Sequence, residues 1–255
     1  NENLKLKIIL NKENLGFARG NNKGIHSAIK AGADYVMVLN SDVVVDKNFL
    51  NALMESFQIN KKIGVAGPKI YFAPGYEFYR DRYKKEERGK VIWSAGGIID
   101  WDNVIASNRG VDEVDRGQYN KAKEVDFISG CCLVAPSLVW EKVDFFDERY
   151  FLYYEDADFC QKVKKIGLKV VCAPKSFIWH KVSSSSQIGG DLQDYFITRN
   201  RLLFGIKWAP LRAKLALVKE GIKLWKNGRQ WQKKGAKDFF LKKFGQGSWK
   251  SKNEL

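Results

Sequence analysis

A run of five apolar residues, Tyr35–Leu39, is followed at once by Asn40, Ser41 and Asp42. A continuous apolar strand is typical of the centre of an α/β sheet, where both faces are covered. Polar side chains at the carboxyl end of such a strand lie where open α/β sheets bind their ligands. We therefore predict an α/β fold with a ligand-binding cleft at this point. Asp42 could ligate a hard divalent cation, or it could simply close a turn.

Three glycines precede this strand at intervals of four residues, Gly16, Gly20 and Gly24, in a segment that predicts a helix ending at Gly32. Residues four apart share one face of a helix, and glycine lets another backbone approach that face closely. For the glycines alone we expect helix packing. The alternative is a helix start that faces a phosphate-bearing ligand, with Arg19 as its charge partner. The spacing is not G-x-G-x-x-G, so it does not indicate a nicotinamide cofactor.

Three carboxylates follow a cluster of aromatic residues that includes Tyr153 and Tyr154. Glu155, Asp156 and Asp158 fall within four positions, and crowded like charges push carboxyl pKa values apart. One interpretation is a general base at the mouth of an aromatic-lined pocket. The other is an acidic first turn that complements the dipole of the helix beginning here. These residues alone favour neither interpretation.

The chain has two histidines. His26 lies within the first predicted helix, where we expect a surface or packing role. His180 follows a predicted strand, Phe177–Trp179, and precedes the polar segment Ser183–Gly190, which could act as a lid. The position of His180 at a strand end favours a metal or phosphate role over a core hydrogen bond.

Composition is that of a soluble globular protein, with 45% apolar and 29% charged residues. At 255 residues the chain suits one domain, or one domain with an appendage. No apolar run approaches the roughly 18–20 residues of a membrane span. The four cysteines lack zinc-type spacing and lie in apolar contexts, which predicts free buried thiols in a reducing compartment.

Most of the net charge of +15 lies near the end of the chain, because residues 205–255 hold 14 basic and 3 acidic residues, a net +11. Within that segment apolar residues recur at helical spacing with lysines beside them: Leu211, Leu215, Val218, Ile222 and Trp225. We call these five residues the apolar stripe. A basic amphipathic helix of this kind suits an anionic membrane surface. The alternative is a helix that docks on its own domain and leaves its lysines in solvent.

Short apolar runs between turn residues predict the remaining strands, and periodic runs predict the remaining helices. We expect an edge strand at Leu4–Leu10 and further strands at Ile63–Gly67, Val91–Ala95, Ile98–Trp101, Val125–Ile128, Cys132–Ala135 and Val170–Ala173. We expect helices at 47–60, 136–143, 156–166 and 191–204.

Four of these segments, in the same order over most of the chain, resemble motifs of glycosyltransferase family 2, in particular its rhamnosyltransferase-like members. The family's N-x-G-F-A-x-G-x-N-x-G-I motif appears as Asn14–Ile25, and its buried strand with a D-x-D-like end appears as Tyr35–Asp42. Its F-D-E-x-F/Y-F-x-Y-x-E-D-x-D block appears as Phe146–Asp158, followed at the expected place by His180.

The resemblance implies the GT-A fold, which is Rossmann-like, with a mixed, mostly parallel sheet flanked by helices. We expect that domain over residues 1–204 and a basic amphipathic helical tail over residues 205–255. The family's opening strand–helix–strand, with its V-D-N-x-S-x-D motif, has no counterpart here. Because that segment forms much of the nucleotide-base pocket in the family, we expect an N-terminally incomplete domain that binds donor poorly by itself.

The resemblance also implies roles for individual residues. Asp42 and His180 would bind Mg²⁺ or Mn²⁺. Asp156 would be the general base, and Glu155 would help to orient the acceptor. The donor would contact Asn14, Gly16, Arg19, Asn22, Asn40, Ser41 and Asp42. The acceptor would contact Tyr153, Tyr154 and Asp158.

The implied function is an inverting, metal-assisted sugar transfer, with rhamnose as a candidate, from a nucleotide-sugar to a glycan or lipid-linked acceptor in cell-envelope polysaccharide synthesis. The implied location is cytoplasmic, on the inner face of the cell membrane, which the tail would contact. The positive charge alone would suit a nucleic-acid-binding protein, but no RNA- or DNA-binding motif appears, so we expect no nucleic-acid partner. A nucleotidyltransferase and a non-catalytic membrane scaffold are two further hypotheses for a chain of this kind.

Overall fold

Helices and strands are interspersed along the chain. The computed structural model describes residues 5–182 and 190–250. The helices are α1 Gly16–Lys30, α2 Phe49–Ile59, α3 Ser137–Lys142, α4 Glu155–Lys165, α5 Asp191–Trp208, α6 Leu211–Asn227 and α7 Gln230–Phe240. The strands are β1 Tyr35–Leu39, β2 Val43–Val45, β3 Ile63–Phe72, β4 Ile92–Ser94, β5 Gly97–Asp100, β6 Ile105–Asn108, β7 Lys123–Glu124, β8 Cys132–Pro136 and β9 Lys169–His180.

A seven-stranded sheet organises the described residues. Its strand order is β1-β8-β3-β9-β2, with β4 paired to β3 and β7 paired to β9, while β5 and β6 form a separate hairpin. Val65 packs into one hydrophobic cluster and Ala66 into another. Because neighbouring side chains of a strand point to opposite faces, the two clusters cover the two faces of the sheet. α2 contributes to one cluster, and α1, α3, α4 and α5 contribute to the other.

The sheet is mixed, as predicted, but it is not mostly parallel. β3 and β9 are parallel, and every other pairing among the described strands is antiparallel. The reason is β8, which runs antiparallel to β1 and β3 and separates them. β1 ends the described strand order, with Val36 and Val38 buried but Tyr35 and Leu39 exposed. The prediction of a central strand is therefore wrong, although both faces of β1 make contacts, because Met37 packs against the second cluster.

Other predicted strands differ from the structure in their extent. Residues 5–10 of the predicted strand Leu4–Leu10 form no strand, and Leu6 and Leu10 are exposed. A strand needs a neighbour for its backbone groups, and no described strand pairs with this segment. Val125–Ile128 makes an isolated bridge to Gly97 instead of a strand. The two runs predicted between residues 170 and 179 are parts of one strand, β9.

The helices after residue 204 pack with the rest of the chain. The predicted domain boundary falls inside α5, and Ala213 and Leu217 belong to the larger core cluster. α6 is a helix, as predicted, but it buries Ala213, Leu217 and Gly221 instead of the apolar stripe. Leu211 and Leu215 of that stripe are exposed. Among the described helices, none is long and apolar enough to cross a membrane.

Two smaller predictions are confirmed, and a third falls largely outside the described residues. The cysteines are buried and free, as expected: Cys131, Cys132, Cys160 and Cys172. His26 is exposed on α1 and its ring packs against Phe145, which confirms a surface and packing role. The predicted lid, Ser183–Gly190, lies outside the described residues except for Gly190.

Candidate active site

Three distant parts of the sequence meet at one cleft. Asp42 lies after β1, His180 ends β9, and Asp156 lies in the first turn of α4. β2 pairs with β9 so that Val43 is opposite His180, which places Asp42 beside the imidazole. All three residues line a cavity of about 840 Å³. The structure therefore brings together the predicted metal ligands and the predicted base.

Asp42 and His180 form a pair in which each side chain has a buried polar atom without a hydrogen-bond partner among the described residues. His180 Nε2 lies 3.2 Å from Asp42 Oδ1, but the contact lacks hydrogen-bond geometry. Asp42 Oδ1 and His180 Nδ1 are buried and have no hydrogen-bond partner among the described residues. Burial lowers the pKa of His180, against the opposing effect of Asp42. A neutral imidazole and a carboxylate oxygen without a partner are the forms that bind a metal ion.

The separation of this pair fits two neighbouring ligands of one divalent cation. Ligand atoms lie about 2.1 Å from such an ion, so adjacent octahedral positions are about 3 Å apart. Within residues 5–182 and 190–250, no group of three or more His, Cys, Asp or Glu side chains could hold a metal. The remaining ligands would have to be water and a bound substrate, which is usual for Mg²⁺ in phosphate-binding sites.

Asp156 is anchored by backbone N–H groups. Gly130 donates to Oδ2 at 2.9 Å, and Ala157 donates to Oδ1 at 2.7 Å. Burial raises the pKa of Asp156, and these hydrogen bonds oppose the rise. Burial also raises the pKa of the Cys131 thiol, and the charges of Asp42 and Asp156 both add to that effect. Asp42 and Asp156 therefore both lie near Cys131.

Glu155 is buried next to Asp156 and contributes to the same cleft. Burial, and then the charge of Asp156, raises the pKa of Glu155 well above its ordinary value. Its Oε2 has no hydrogen-bond partner among the described residues. The N–H groups of Gly130 and Ala157 stabilise the charged form of Asp156, which opposes the effect of burial on that carboxyl. Both carboxyl groups line the cleft, and their predicted roles in catalysis stay predictions.

A loop in an unusual conformation holds this pair. Three residues before Glu155 have positive φ: Phe151 at 65°, Tyr153 at 68° and Tyr154 at 74°. Large L-residues rarely adopt this region. On α5, Asn200 donates hydrogen bonds to three carbonyls of the loop, those of Tyr150, Leu152 and Tyr153. Arg199 also donates to Tyr150. Because backbone strain persists only where surrounding contacts fix it, α5 positions the acidic pair.

The two predicted acceptor tyrosines differ in their access to the cleft. Tyr153 and Tyr154 both line it. Tyr154 is buried, its ring packs against Phe204, and its hydroxyl lies 3.4 Å from the Val104 carbonyl. Tyr153 is half-buried, so more of its surface is open to a ligand. An acceptor contact stays a prediction for both residues.

Asp158 does not reach the cleft. It is fully buried, and it accepts hydrogen bonds from Tyr150 Oη, Lys207 Nζ and Trp208 Nε1. Residues two apart do not share a helix face, so Asp156 and Asp158 point in different directions. The predicted acceptor contact is therefore wrong for Asp158, which ties α4 to α5.

The glycine segment at the start of α1 has a packing role at one position. Gly16 has φ of 72°, and a Cβ there would lie 2.5 Å from the Phe151 ring. Only glycine fits this close approach. Gly20 and Gly24 have no atom within 4 Å of an added Cβ, so the predicted packing face does not extend to them.

Of the residues predicted to bind the donor, Asn40 and Asp42 line the cleft. Asn22 is buried and exchanges hydrogen bonds with the backbone of Phe146. Asn14 accepts a hydrogen bond from the Gly16 N–H, and Arg19 lies beside Glu13 and Glu148. Ser41 is exposed beside the cleft-lining residues and its role stays a prediction. Four residues predicted to bind the donor do not line the cleft, which corrects that part of the prediction: Asn14, Gly16, Arg19 and Asn22.

Sequence reasoning missed several residues of the cleft, among them Gly130 and Arg201. A Cβ on Gly130 would lie 2.8 Å from the Phe17 ring, so the small residue lets its N–H reach Asp156. The sequence feature that could have indicated Gly130 is the run of small residues between two predicted strands. Arg201 on α5 lines the cleft and binds Glu220 of α6 with hydrogen bonds of 2.7 and 2.9 Å. Nothing local in the sequence indicated that contact.

The comparison with known families agrees with this geometry. The family model described as glycosyltransferase like family 2 matches residues 2–205. The chain belongs to this family. The resemblance carried by the four sequence motifs is therefore confirmed.

Two curated relatives of this family 2 chain are named for sugar transfer. The low-salt glycan biosynthesis hexosyltransferase Agl10 of Haloferax volcanii is 23% identical over 74% of this chain and 57% of its own length. An N-acetylglucosaminyl-diphospho-decaprenol L-rhamnosyltransferase of Mycobacterium tuberculosis is 27% identical over 60% of this chain and 48% of its own length. The chain spans about half the length of these relatives.

A solved structure supports the fold of this family 2 chain. GalNAc-T7, in a crystal structure with UDP, GalNAc and Mn²⁺, superposes with a TM-score of 0.51 at 13% identity. The superposition covers 91% of this chain and 39% of that one. Together with the mixed sheet between helices, this likeness confirms the predicted GT-A fold.

Replacing Glu155 with glutamine should make the protein more stable at neutral pH. Burial and Asp156 raise the pKa of Glu155 in the folded state, so the folded protein holds this proton more tightly than the unfolded chain. The free energy of unfolding therefore falls as pH rises from the ordinary glutamate pKa, about 4.3, toward the raised value, by up to about 1.4 kcal/mol per pH unit. Glutamine removes this loss, and thermal unfolding across that pH range measures it.

The matched control is Glu141→Gln, because Glu141 is exposed on α3. Its melting temperature should follow that of the unchanged protein at every pH. If the melting temperature of the Glu155→Gln protein differed from that of the unchanged protein by the same amount at every pH, the raised pKa of Glu155 would be contradicted.

Proposed function

We propose that this chain is the catalytic domain of an inverting glycosyltransferase that moves a sugar from a nucleotide-sugar to a hydroxyl of a glycan or lipid-linked acceptor. The observation that carries the proposal is the single cleft lined by Asp42, His180 and Asp156. Membership of family 2 supports the reaction class. Relatives named for hexosyl and rhamnosyl transfer support rhamnose as the first sugar to test and cell-envelope glycans as the product.

Asp156 would act as the general base. Its carboxylate is fixed by the N–H groups of Gly130 and Ala157, and it faces the cleft. As it takes the proton of the acceptor hydroxyl, that oxygen bonds to the anomeric carbon of the donor and the bond to the diphosphate breaks. Attack from the side opposite the diphosphate inverts the configuration. A base in position typically contributes about 10²–10⁴-fold to the rate.

Asp42 and His180 would hold a Mg²⁺ or Mn²⁺ ion. The partnerless oxygen of Asp42 and the neutral imidazole of His180 suit such an ion. When bound, the ion would neutralise negative charge on the departing diphosphate. The Mn²⁺ and UDP in the crystal structure of GalNAc-T7 support a divalent ion with a nucleotide in this fold.

The cleft also has a large apolar wall, which supports a lipid-linked or similarly apolar acceptor. Its apolar residues include Phe78, Trp93, Ile105, Val111, Leu192 and Ile197. Binding sites of this kind combine apolar walls with a few polar groups that fix orientation. A protonated Glu155 would donate a hydrogen bond to an acceptor oxygen beside the base.

A panel of nucleotide-sugars tests the proposal, each offered with and without Mn²⁺ at a concentration high enough to occupy the weak donor site that the sequence predicts. We expect release of nucleoside diphosphate from one donor, dependent on the ion, and faster release when a lipid-linked acceptor is added. A correctly folded protein that consumes no donor under any of these conditions would instead be a non-catalytic scaffold. Product stereochemistry, read by nuclear magnetic resonance, tests inversion separately.

A further inference from the structure

The apolar stripe of α6 is not the face that packs on the domain. α6 buries Ala213, Leu217 and Gly221. A Cβ on Gly221 would lie 2.8 Å from Leu202 of α5, so this face is in close contact with its neighbour. At 100° per residue, Ala213, Leu217 and Gly221 share one side of the helix and the apolar stripe lies on another.

Four of the five stripe residues are exposed: Leu211 at 72%, Leu215 at 58%, Ile222 at 41% and Trp225 at 40%. Helical geometry places them within an arc of about 80°. Single exposed apolar side chains are normal, but a continuous row of large ones marks an interaction site. Trp225 stacks on Phe240 of α7 with ring centroids 5.6 Å apart, which fixes one end of the row.

Basic residues border the stripe on both sides. Helical geometry places Lys214 on one side and Lys219 and Lys226 on the other. Glu220 is the only acidic residue of α6, and Arg201 binds it. The positive charge beside the stripe is therefore not neutralised within the helix.

We propose that α6 docks on an anionic lipid surface, with the apolar stripe among the acyl chains and the lysines against the lipid phosphates. An amphipathic helix with leucine and tryptophan on one side and lysines beside them binds membrane interfaces in this way. The cytoplasmic leaflet carries the negative lipids that would attract it. This places the protein at the cytoplasmic face of the cell membrane as a peripheral protein.

Charge and chemistry together favour a lipid surface over other occupants. A second copy of the chain would bring the same lysines against one another. A nucleic acid would match the charge but would gain nothing from exposed side chains such as Leu215 and Ile222. An anionic membrane uses both the stripe and the lysines.

Docking would also fix the cleft relative to the membrane. Arg201 lines the cleft and binds Glu220 of α6, so the docking helix and the cleft are in direct contact. A lipid-linked acceptor would then meet the cleft at a constant height. This consequence rests on the proposed function, whereas docking itself does not and is measured without any substrate.

Flotation of the full chain with lipid vesicles tests the proposal. We expect binding to vesicles of phosphatidylcholine containing phosphatidylglycerol, and little binding to phosphatidylcholine alone. The double variant Leu215→Gln/Ile222→Gln should bind at least about tenfold more weakly, because two large apolar side chains are lost from the interface. The variant Lys219→Glu/Lys226→Glu should lose at least about 25-fold, since each lysine near such a surface contributes about fivefold.

The matched control is Leu50→Gln/Ile59→Gln, because both residues are exposed on α2. It removes the same kind of apolar surface elsewhere and should leave vesicle binding unchanged. Both glutamine variants should keep the melting temperature of the unchanged protein. Failure to bind anionic vesicles, or equal binding by the Leu215→Gln/Ile222→Gln variant, would overturn the proposal. Self-association that depends on Leu215 and Ile222, seen by sedimentation, would assign the stripe to a second copy instead.

Discussion

Asp156→Asn should lower the rate of sugar transfer by about 10²–10⁴-fold while leaving the fold and donor binding intact. Asparagine has the shape of aspartate, and its single carbonyl oxygen can still accept a hydrogen bond from the Gly130 N–H, while the bond from the Ala157 N–H within the first turn of α4 is lost. The amide cannot take a proton from the acceptor hydroxyl. The loss should therefore appear in kcat and not in donor affinity. Release of nucleoside diphosphate at saturating donor and acceptor measures it.

A pH profile distinguishes a missing base from a damaged site. Burial raises the pKa of Asp156, so transfer by the unchanged protein should fall as pH drops through that raised value, because a protonated carboxyl is not a base. The residual rate of Asp156→Asn should lack this fall. Asp34→Asn changes an exposed aspartate just before β1, at the end away from the cleft, and should keep the full rate. Near-normal turnover by Asp156→Asn would refute the assignment.

Local sequence patterns predicted the elements of the fold better than their pairing. Tyr35–Leu39 is a strand with the predicted bounds, because its apolar run ends at a polar turn. Its neighbour in the sheet is β8, which lies far along the chain, and no local periodicity in the sequence could indicate this pairing. The same limit applies to α6. Its large apolar residues predicted a membrane-binding face or, as the alternative, a packing face, and the face that packs on α5 carries Ala213, Leu217 and Gly221 instead.

The site was predictable where a residue stands at the end of an element. Asp42 and His180 follow or end strands of one sheet, and Asp156 begins a helix, so topology brings them to one cleft. Prediction failed where a role rested on the family resemblance alone. Asn22 has the chemistry of a ligand-binding residue, but buried backbone groups also need partners, and it satisfies those of Phe146.

Asp42→Asn and His180→Asn should each abolish stabilisation of the protein by Mn²⁺ with a nucleoside diphosphate. A ligand that binds only the folded state at a hundred times its Kd stabilises it by about 2.7 kcal/mol, which raises the melting temperature of a chain of this size by roughly 5–10 °C. Both variants should fold without the ion, because Asp42 Oδ1 and His180 Nδ1 have no described hydrogen-bond partner to lose. Thermal unfolding with and without Mn²⁺ measures the effect.

The other histidine supplies the control. His26 is exposed and borders a separate cavity with no residue of the Asp42 pair, so His26→Gln should keep the full increase in melting temperature. If Asp42→Asn and His180→Asn both kept the increase in melting temperature, the ion would bind the diphosphate without this pair, and the metal assignment would fail. An increase lost only in the cleft variants ties the ion to Asp42 and His180. Because the readout is melting temperature, the result stands whether or not the sugar and acceptor are known.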